Sequence, residues 1–144
     1  MSHNYYVDTC VWLNLFKKEV NKTSGIQYWK IAKDFFRKIE ERQEKIIVST
    51  IVLKELYFRL KEKFQMINFF FKEAKYIDIV KTTTDDYKLA RKWEIEYEGL
   101  SFYDYLHIAI TKRMSACLVT RDAELINFAK IFVIVLKPEG VFPN

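Results

Sequence analysis

Tyr5-Tyr6-Val7-Asp8-Thr9 near one end of the chain and Leu118-Val119-Thr120-Arg121-Asp122 near the other decide the fold. In each, a short apolar, aromatic and β-branched run leads into an acid. Such runs have the length and composition of buried strands. Working outward, three more runs share that character, at residues 46–49 (Ile46-Ile47-Val48-Ser49), 76–80 and 132–135. With 4–7 and 117–120 they make five predicted strands.

Helical patterns lie between them. Tyr28, Ala32, Phe35 and Ile39 recur at spacings that share one helix face. Residues 51–63 and 64–75 suggest a hairpin of two helices. Thr83 and Asp86 stand at capping-box spacing, Ala90, Trp93 and Tyr97 follow at helical spacing, and Gly99 is expected at the C′ position. Ser101 starts the next helix, with Asp104 three residues on, and Asp122 opens a short one through Ala129. Strands alternating with helices predict a parallel sheet covered on both faces. A short tail after Pro138 is expected to dock on the surface or on a partner.

Composition fits one domain spanning residues 1–144. Half of the residues are hydrophobic, which excludes a disordered chain, and three Gly and two Pro leave little material for linkers. No apolar run reaches the length of a membrane span, and Met1-Ser2-His3-Asn4 lacks a signal-peptide pattern, so a cytoplasmic protein is expected. Cys10 and Cys117 sit in apolar contexts and read as small buried hydrophobes. Two Cys and two His without paired spacing do not suggest a zinc site. The net charge of +5 suits a polyanion partner, although many basic helix faces are merely solvated.

The acids carry more information. Asp8 and Asp122 follow predicted strands directly, and in open α/β sheets ligands bind outside the carboxyl ends of the strands. Glu55 and Asp104 fall in the first turns of helices that begin at that same edge if the sheet is parallel. Four acids far apart in sequence can therefore converge. Clustered carboxylates repel one another and lose hydration unless a cation sits among them, and oxygen-only ligands select Mg²⁺ or Mn²⁺. Such an ion can orient and polarise a phosphate, which outlines a phosphodiester hydrolase. Each acid also has a plainer reading. Asp8 is a candidate N-cap, Asp104 a capping-box partner of Ser101, and Asp122 a helix-dipole residue; Glu55 has Arg59 at i+4 as a possible ion-pair partner.

With these segments in view, the sequence resembles the PIN-domain family, and most closely its VapC-type toxin ribonucleases. Val7-Asp8-Thr9 is similar to the family's opening strand end. Val48-Ser49-Thr50-Ile51-Val52-Leu53-Lys54-Glu55-Leu56 resembles the second motif, Leu100 to Ala109 the third, Leu118 to Leu125 the fourth, and Lys137-Pro138-Glu139 the Pro-containing tail. The resemblance implies a PIN-like (Rossmann-like) three-layer α/β/α fold and Mg²⁺- or Mn²⁺-dependent endoribonuclease activity. It also implies an RNA substrate, a cognate antitoxin and a homodimer. Carried over, Asp8, Asp104 and Asp122 would be the main metal ligands. Glu55 would complete the cluster or position the attacking water, and Thr120 would support the site through its hydroxyl.

Water attack in line, with the 3′ oxygen leaving, needs no general-base histidine. His107, three residues after Asp104, is expected in the core or behind the site, and Arg121 is the best-placed candidate for an RNA phosphate. Phe69-Phe70-Phe71 and Trp93/Tyr97 read as core or dimer surface. A haloacid-dehalogenase-like phosphotransferase would need a second Asp where Cys10 stands, and a response receiver would need a phosphorylatable Asp after the third strand. The remaining rivals are a catalytically quiet PIN-like domain that binds RNA or protein, and a housekeeping RNA-processing nuclease.

Overall fold

The computed structural model describes residues 3–143; Met1, Ser2 and Asn144 lie outside the described residues. Five strands, β1 (Asn4–Val7), β2 (Lys45–Ser49), β3 (Ile77–Val80), β4 (Cys117–Val119) and β5 (Val135–Leu136), form one sheet in the order β3-β2-β1-β4-β5. Every neighbouring pair is parallel, with Tyr6 opposite Ile47 on one side and Leu118 on the other. Tyr6, Val7, Ile46, Val48, Leu118 and Val119 are all fully buried, as strands covered on both faces must be.

Eight helices cover the sheet among the described residues: α1 (Thr9–Phe16), α2 (Tyr28–Glu41), α3 (Thr50–Arg59), α4 (Phe64–Glu73), α5 (Thr84–Glu96), α6 (Phe102–Arg113), α7 (Ala123–Ala129) and α8 (Pro138–Val141). This is the expected three-layer α/β/α arrangement around a parallel sheet. One aromatic cluster joins α1, α2 and α4: Trp12 stacks on Phe36 at 4.2 Å and meets Phe71 edge-on at 4.7 Å. A second joins α5, α6 and α7, where Phe128 lies 5.2 Å from Tyr105 and 6.0 Å from Trp93.

The chain runs outward from β1 through β2 to β3 and then returns to the other side of β1 as β4. The direction of winding therefore reverses between β1 and β4, the position where open α/β sheets form their binding crevice. Asp8 and Thr120 follow those two strands, and the backbone N–H of Asp8 donates to the Val119 carbonyl at 2.9 Å.

Several boundaries differ from the sequence reading. The last strand lies at Val135–Leu136 instead of residues 132–135, because Ile131, Phe132 and Val133 close the end of α7 through backbone bonds to Phe128 and Ala129. Phe132 then packs on Trp93 at 4.7 Å. Helix α3 stops at Arg59, since Leu60 leaves helical geometry (φ −135°, ψ 46°) before a single 3₁₀ turn. Gly99 is not the C′ residue of α5: Tyr97 already ends that helix in an extended conformation, and Gly99, at φ +107°, turns the chain toward Ser101. The tail docks on its own chain, with Pro138 buried and Phe142 near Tyr5 and Phe35.

Candidate active site

Asp8 is the N-cap of α1 and is almost fully buried. Its Oδ1 accepts from the Thr9 backbone N–H at 2.8 Å. Its Oδ2 accepts from Thr120 Oγ1 at 2.8 Å and from Cys10 Sγ at 3.2 Å. Both carboxylate oxygens are thus held by groups from two different strand ends. The Cys10 thiol is pushed up to about 12 by burial and by the Asp8 charge, which leaves it a donor and not a nucleophile.

Glu55 reaches the same place from the second turn of α3, whose N-cap is Ser49. Its Oε1 accepts from Thr9 Oγ1 at 2.9 Å and stands 2.7 Å from His107 Nε2. Burial works to raise the Glu55 carboxyl, but the hydrogen bond and charge of His107, with Thr9, outweigh it and hold the group below its ordinary value. The anticipated partner Arg59 makes no ion pair with it among the described residues. His107 itself is buried in α6, and its Nε2 lies 3.9 Å from Asp8 Oδ1. Burial disfavours the charged imidazole, yet the carboxylates of Glu55, Asp8 and Asp104 together raise it.

Asp104 occupies the N3 position of α6 and closes a capping box with Ser101: Ser101 N–H to Asp104 Oδ2 is 3.1 Å, and Asp104 N–H to Ser101 Oγ is 3.2 Å. Burial raises the Asp104 carboxyl, the capping hydrogen bonds oppose this, and the nearby Asp8 charge adds to the rise. The Asp104 carboxyl thus sits within reach of the Asp8 charge.

Asp122 stands apart from these three. It is exposed and caps α7, its Oδ1 accepting from Glu124 N–H at 3.0 Å and Leu125 N–H at 3.3 Å. Its link to Asp8 runs through Thr120, whose Oγ1 takes the Asp122 backbone N–H at 3.2 Å and donates to Asp8. Asp8, Asp104 and Asp122 are thus at once candidate ligands and helix caps. The two readings coincide because parallel strands deliver helix N-termini to one edge.

Arg121 faces inward instead of into open solvent. Its Nη1 pairs with Glu139 at 2.9 Å, its Nε points at Asn14 Oδ1 at 3.4 Å, and its guanidinium lies 4.3 Å from the Tyr28 ring centre. A second cation adjacent in sequence to a candidate carboxylate is Lys54, exposed beside Glu55, whose Nζ donates to Tyr103 Oη at 2.8 Å. Sequence reasoning missed Thr9, Tyr6 and Ser49 as site-building residues. The signal available was their position: each lies within two residues of the end of a strand at the candidate edge or directly beyond it.

Among the described residues no three His, Cys, Asp or Glu side chains stand close enough to ligate one ion as placed. The donor set still suits a hard divalent cation. It offers carboxylate oxygens from three elements, and Asp104 is raised first by burial and further by the Asp8 charge, a condition that a cation relieves. No helix among the described residues is long and apolar enough to cross a membrane.

The PIN domain family model matches residues 5–131. This chain belongs to the PIN domain family. Solved structures agree in fold. The chain is similar to VapBC2 from Rickettsia felis bound to a promoter DNA fragment (18% identity, 93% of this chain and 98% of that chain, TM-score 0.66). It is similar to a toxin–antitoxin complex from Klebsiella pneumoniae (17% identity, 93% and 97%, TM-score 0.67). It is also similar to VapC20 of Mycobacterium tuberculosis, a sarcin-ricin loop cleaving toxin (19% identity, 90% and 96%, TM-score 0.66). Comparison with curated proteins gives no match.

Proposed function

We propose that this PIN domain is a Mg²⁺- or Mn²⁺-dependent endoribonuclease, acting as the toxin of a toxin–antitoxin pair. One observation carries the catalytic part: Asp8, Glu55 and Asp104 come from three different elements at the carboxyl edge of a parallel sheet, with Glu55 Oε1 and Asp8 Oδ1 lying 2.7 and 3.9 Å from the same His107 Nε2. Burying like charges side by side is unfavourable, and their usual compensation is a metal ion.

Asp8, Asp104 and Glu55 would hold the ion, with Asp122 joining from the rim. Bound there, a divalent cation supplies Lewis acidity toward the phosphate and makes water a better nucleophile near neutral pH. The chain's own residues do the rest. Thr9 and Thr120 fix the carboxylates of Glu55 and Asp8, so that little reorganisation accompanies substrate binding. Lys54, exposed next to Glu55 in sequence and hydrogen-bonded to Tyr103, would offer an ammonium group to a backbone phosphate. Water attacks phosphorus in line and the 3′ oxygen leaves, giving 5′-phosphate and 3′-hydroxyl ends.

The toxin role rests on the company the fold keeps: R. felis VapBC2 and the K. pneumoniae protein are toxin–antitoxin complexes. Phe58, Met66 and Phe69 expose apolar surface on α3 and α4, which suits a protein partner or a second copy of the chain.

The test is incubation of the purified protein with total RNA in Mn²⁺, Mg²⁺ or EDTA, followed by mapping of the ends. Cleavage in either metal, abolished by EDTA and by Asp8→Asn or Asp104→Asn, is expected. Cleavage that survives EDTA refutes the metal dependence, and 2′,3′-cyclic phosphate ends refute water attack. RNA binding without cleavage under every condition would favour a catalytically quiet binding domain.

A further inference from the structure

The buried polar chain behind Glu55 exceeds what packing alone requires. Ser49 Oγ lies 2.6 Å from Tyr6 Oη, and Tyr6 Oη lies 2.6 Å from His107 Nδ1. His107 Nε2 lies 2.7 Å from Glu55 Oε1, which also accepts from Thr9 Oγ1 at 2.9 Å. Ser49 and Tyr6 are wholly buried and His107 is 1% exposed. We propose that Ser49, Tyr6 and His107 form a positioning relay that commits one oxygen of Glu55 to the protein and reserves the other for the divalent cation. This rests on the nuclease reading of the site.

With His107 neutral, counting hydrogens fixes the direction of the relay. An ionised carboxylate only accepts, so His107 Nε2 must carry the hydrogen that faces Glu55. In the neutral ring Nδ1 then accepts, and the single Tyr6 O–H points at it. The Tyr6 oxygen must in turn accept from Ser49 O–H. Ser49 Oγ, for its part, takes the Val52 backbone N–H at 3.2 Å as the N-cap of α3. The relay therefore starts at Ser49, where β2 ends and α3 is capped, crosses β1 at Tyr6 and α6 at His107, and reaches α3 at Glu55.

Two consequences follow. Glu55 Oε1 receives two donors, which use both of its in-plane lone pairs, while Oε2 makes no hydrogen bond among the described residues. Glu55 thus presents one oxygen at a fixed angle instead of a freely rotating carboxylate. In addition, His107 sits three residues after Asp104 on α6, so the same contacts set where α6 places Asp104 relative to Glu55. His107 is a positioning residue: it touches neither ion nor substrate. Partners of this kind, which orient a ligand from behind, typically change metal affinity about 10- to 100-fold when removed.

The first measurement needs no variant. Long-range ¹H–¹⁵N correlation of the imidazoles in the metal-free protein at alkaline pH reports the His107 tautomer. The Nε2–H form, with Nδ1 at the shift of a hydrogen-bond acceptor, is expected; an Nδ1–H form or an even mixture overturns the relay. The second is Mn²⁺ affinity, read by electron paramagnetic resonance without RNA, for wild type, Tyr6→Phe, His107→Leu and His107→Gln. Tyr6→Phe and His107→Leu should weaken Mn²⁺ binding about 10-fold or more. His107→Gln, whose amide can still donate toward Glu55, should recover part of it. RNA affinity in EDTA should be the same for all four proteins. Mn²⁺ affinity within about twofold of wild type in folded Tyr6→Phe and His107→Leu overturns the proposal. If wild type neither binds Mn²⁺ nor cleaves RNA, the nuclease reading fails, whereas the tautomer still decides the hydrogen-bond order.

Discussion

Thr120→Val removes one oxygen and almost no volume, and its effect should be disproportionate. Thr120 is fully buried, and its Oγ1 donates to Asp8 Oδ2 at 2.8 Å while accepting the Asp122 backbone N–H at 3.2 Å. A hydrogen bond to a charged group contributes about 1.5–3 kcal/mol, and a neutral one about 1 kcal/mol, less where water can replace it as at Asp122. Against this, the added methyl buries apolar surface and offsets roughly 0.8 kcal/mol. The net expectation is a loss of about 2 kcal/mol. With an unfolding entropy of roughly 2.1 cal/mol/K per residue over 144 residues, that lowers Tm by about 7 °C. Urea titration of wild type, Thr120→Val, Asp8→Ala and the double variant isolates the pair. In the Asp8→Ala background Thr120→Val should cost about 1.5–3 kcal/mol less than in wild type. Additivity within about 0.5 kcal/mol would refute the claim that Thr120 acts through the Asp8 carboxylate.

Asp122→Asn preserves the α7 cap and Asp122→Ala does not, so only the latter should lose about 1 kcal/mol of stability in urea. If Asp122 joins the ion, both variants should cut RNA cleavage to a similar degree; full activity in Asp122→Asn would remove it from the ligand set. His107 has its folded-state value raised above the unfolded one, so its contribution is present below about pH 6.5 and lost as pH rises through the raised value. The urea midpoint of EDTA-treated protein should therefore fall across that window, and His107→Gln should flatten the profile; a flat parent profile contradicts this. Trp12→Ala should lose about 3–5 kcal/mol, while Trp12→Phe should lose far less than Trp12→Ala, because it also removes a buried indole N–H that has no partner among the described residues.

The fold was legible because its determinants are local. The buried runs at β1, β2 and β4 are apolar on both faces, and the capping pairs Thr83/Asp86 and Ser101/Asp104 occur where the spacing places them. The fifth strand was misplaced by three residues because Phe132 and Val133 satisfy a strand pattern but are captured by the end of α7. At the candidate site, the approach of Asp8, Glu55 and Asp104 to one sheet edge was readable from their positions after strands and at helix starts. Asp122 was recognisable as a cap, although its exposed position could not be inferred. The Ser49–Tyr6–His107 chain was not legible, because residues 43 and 101 positions apart meet only through sheet register and helix rotation. Arg121 looked like a free cation in the sequence because its acidic partner, Glu139, comes from the docked tail.

The central claim is that Asp8, Glu55 and Asp104 share one divalent cation. Anomalous diffraction from crystals soaked in Mn²⁺ tests it most directly. A single strong peak between Asp8, Asp104 and Glu55 Oε2, absent in Asp8→Asn crystals, is the expected result. A fully ordered crevice with no peak at saturating Mn²⁺, or a peak that Asp8→Asn leaves in place, would contradict it.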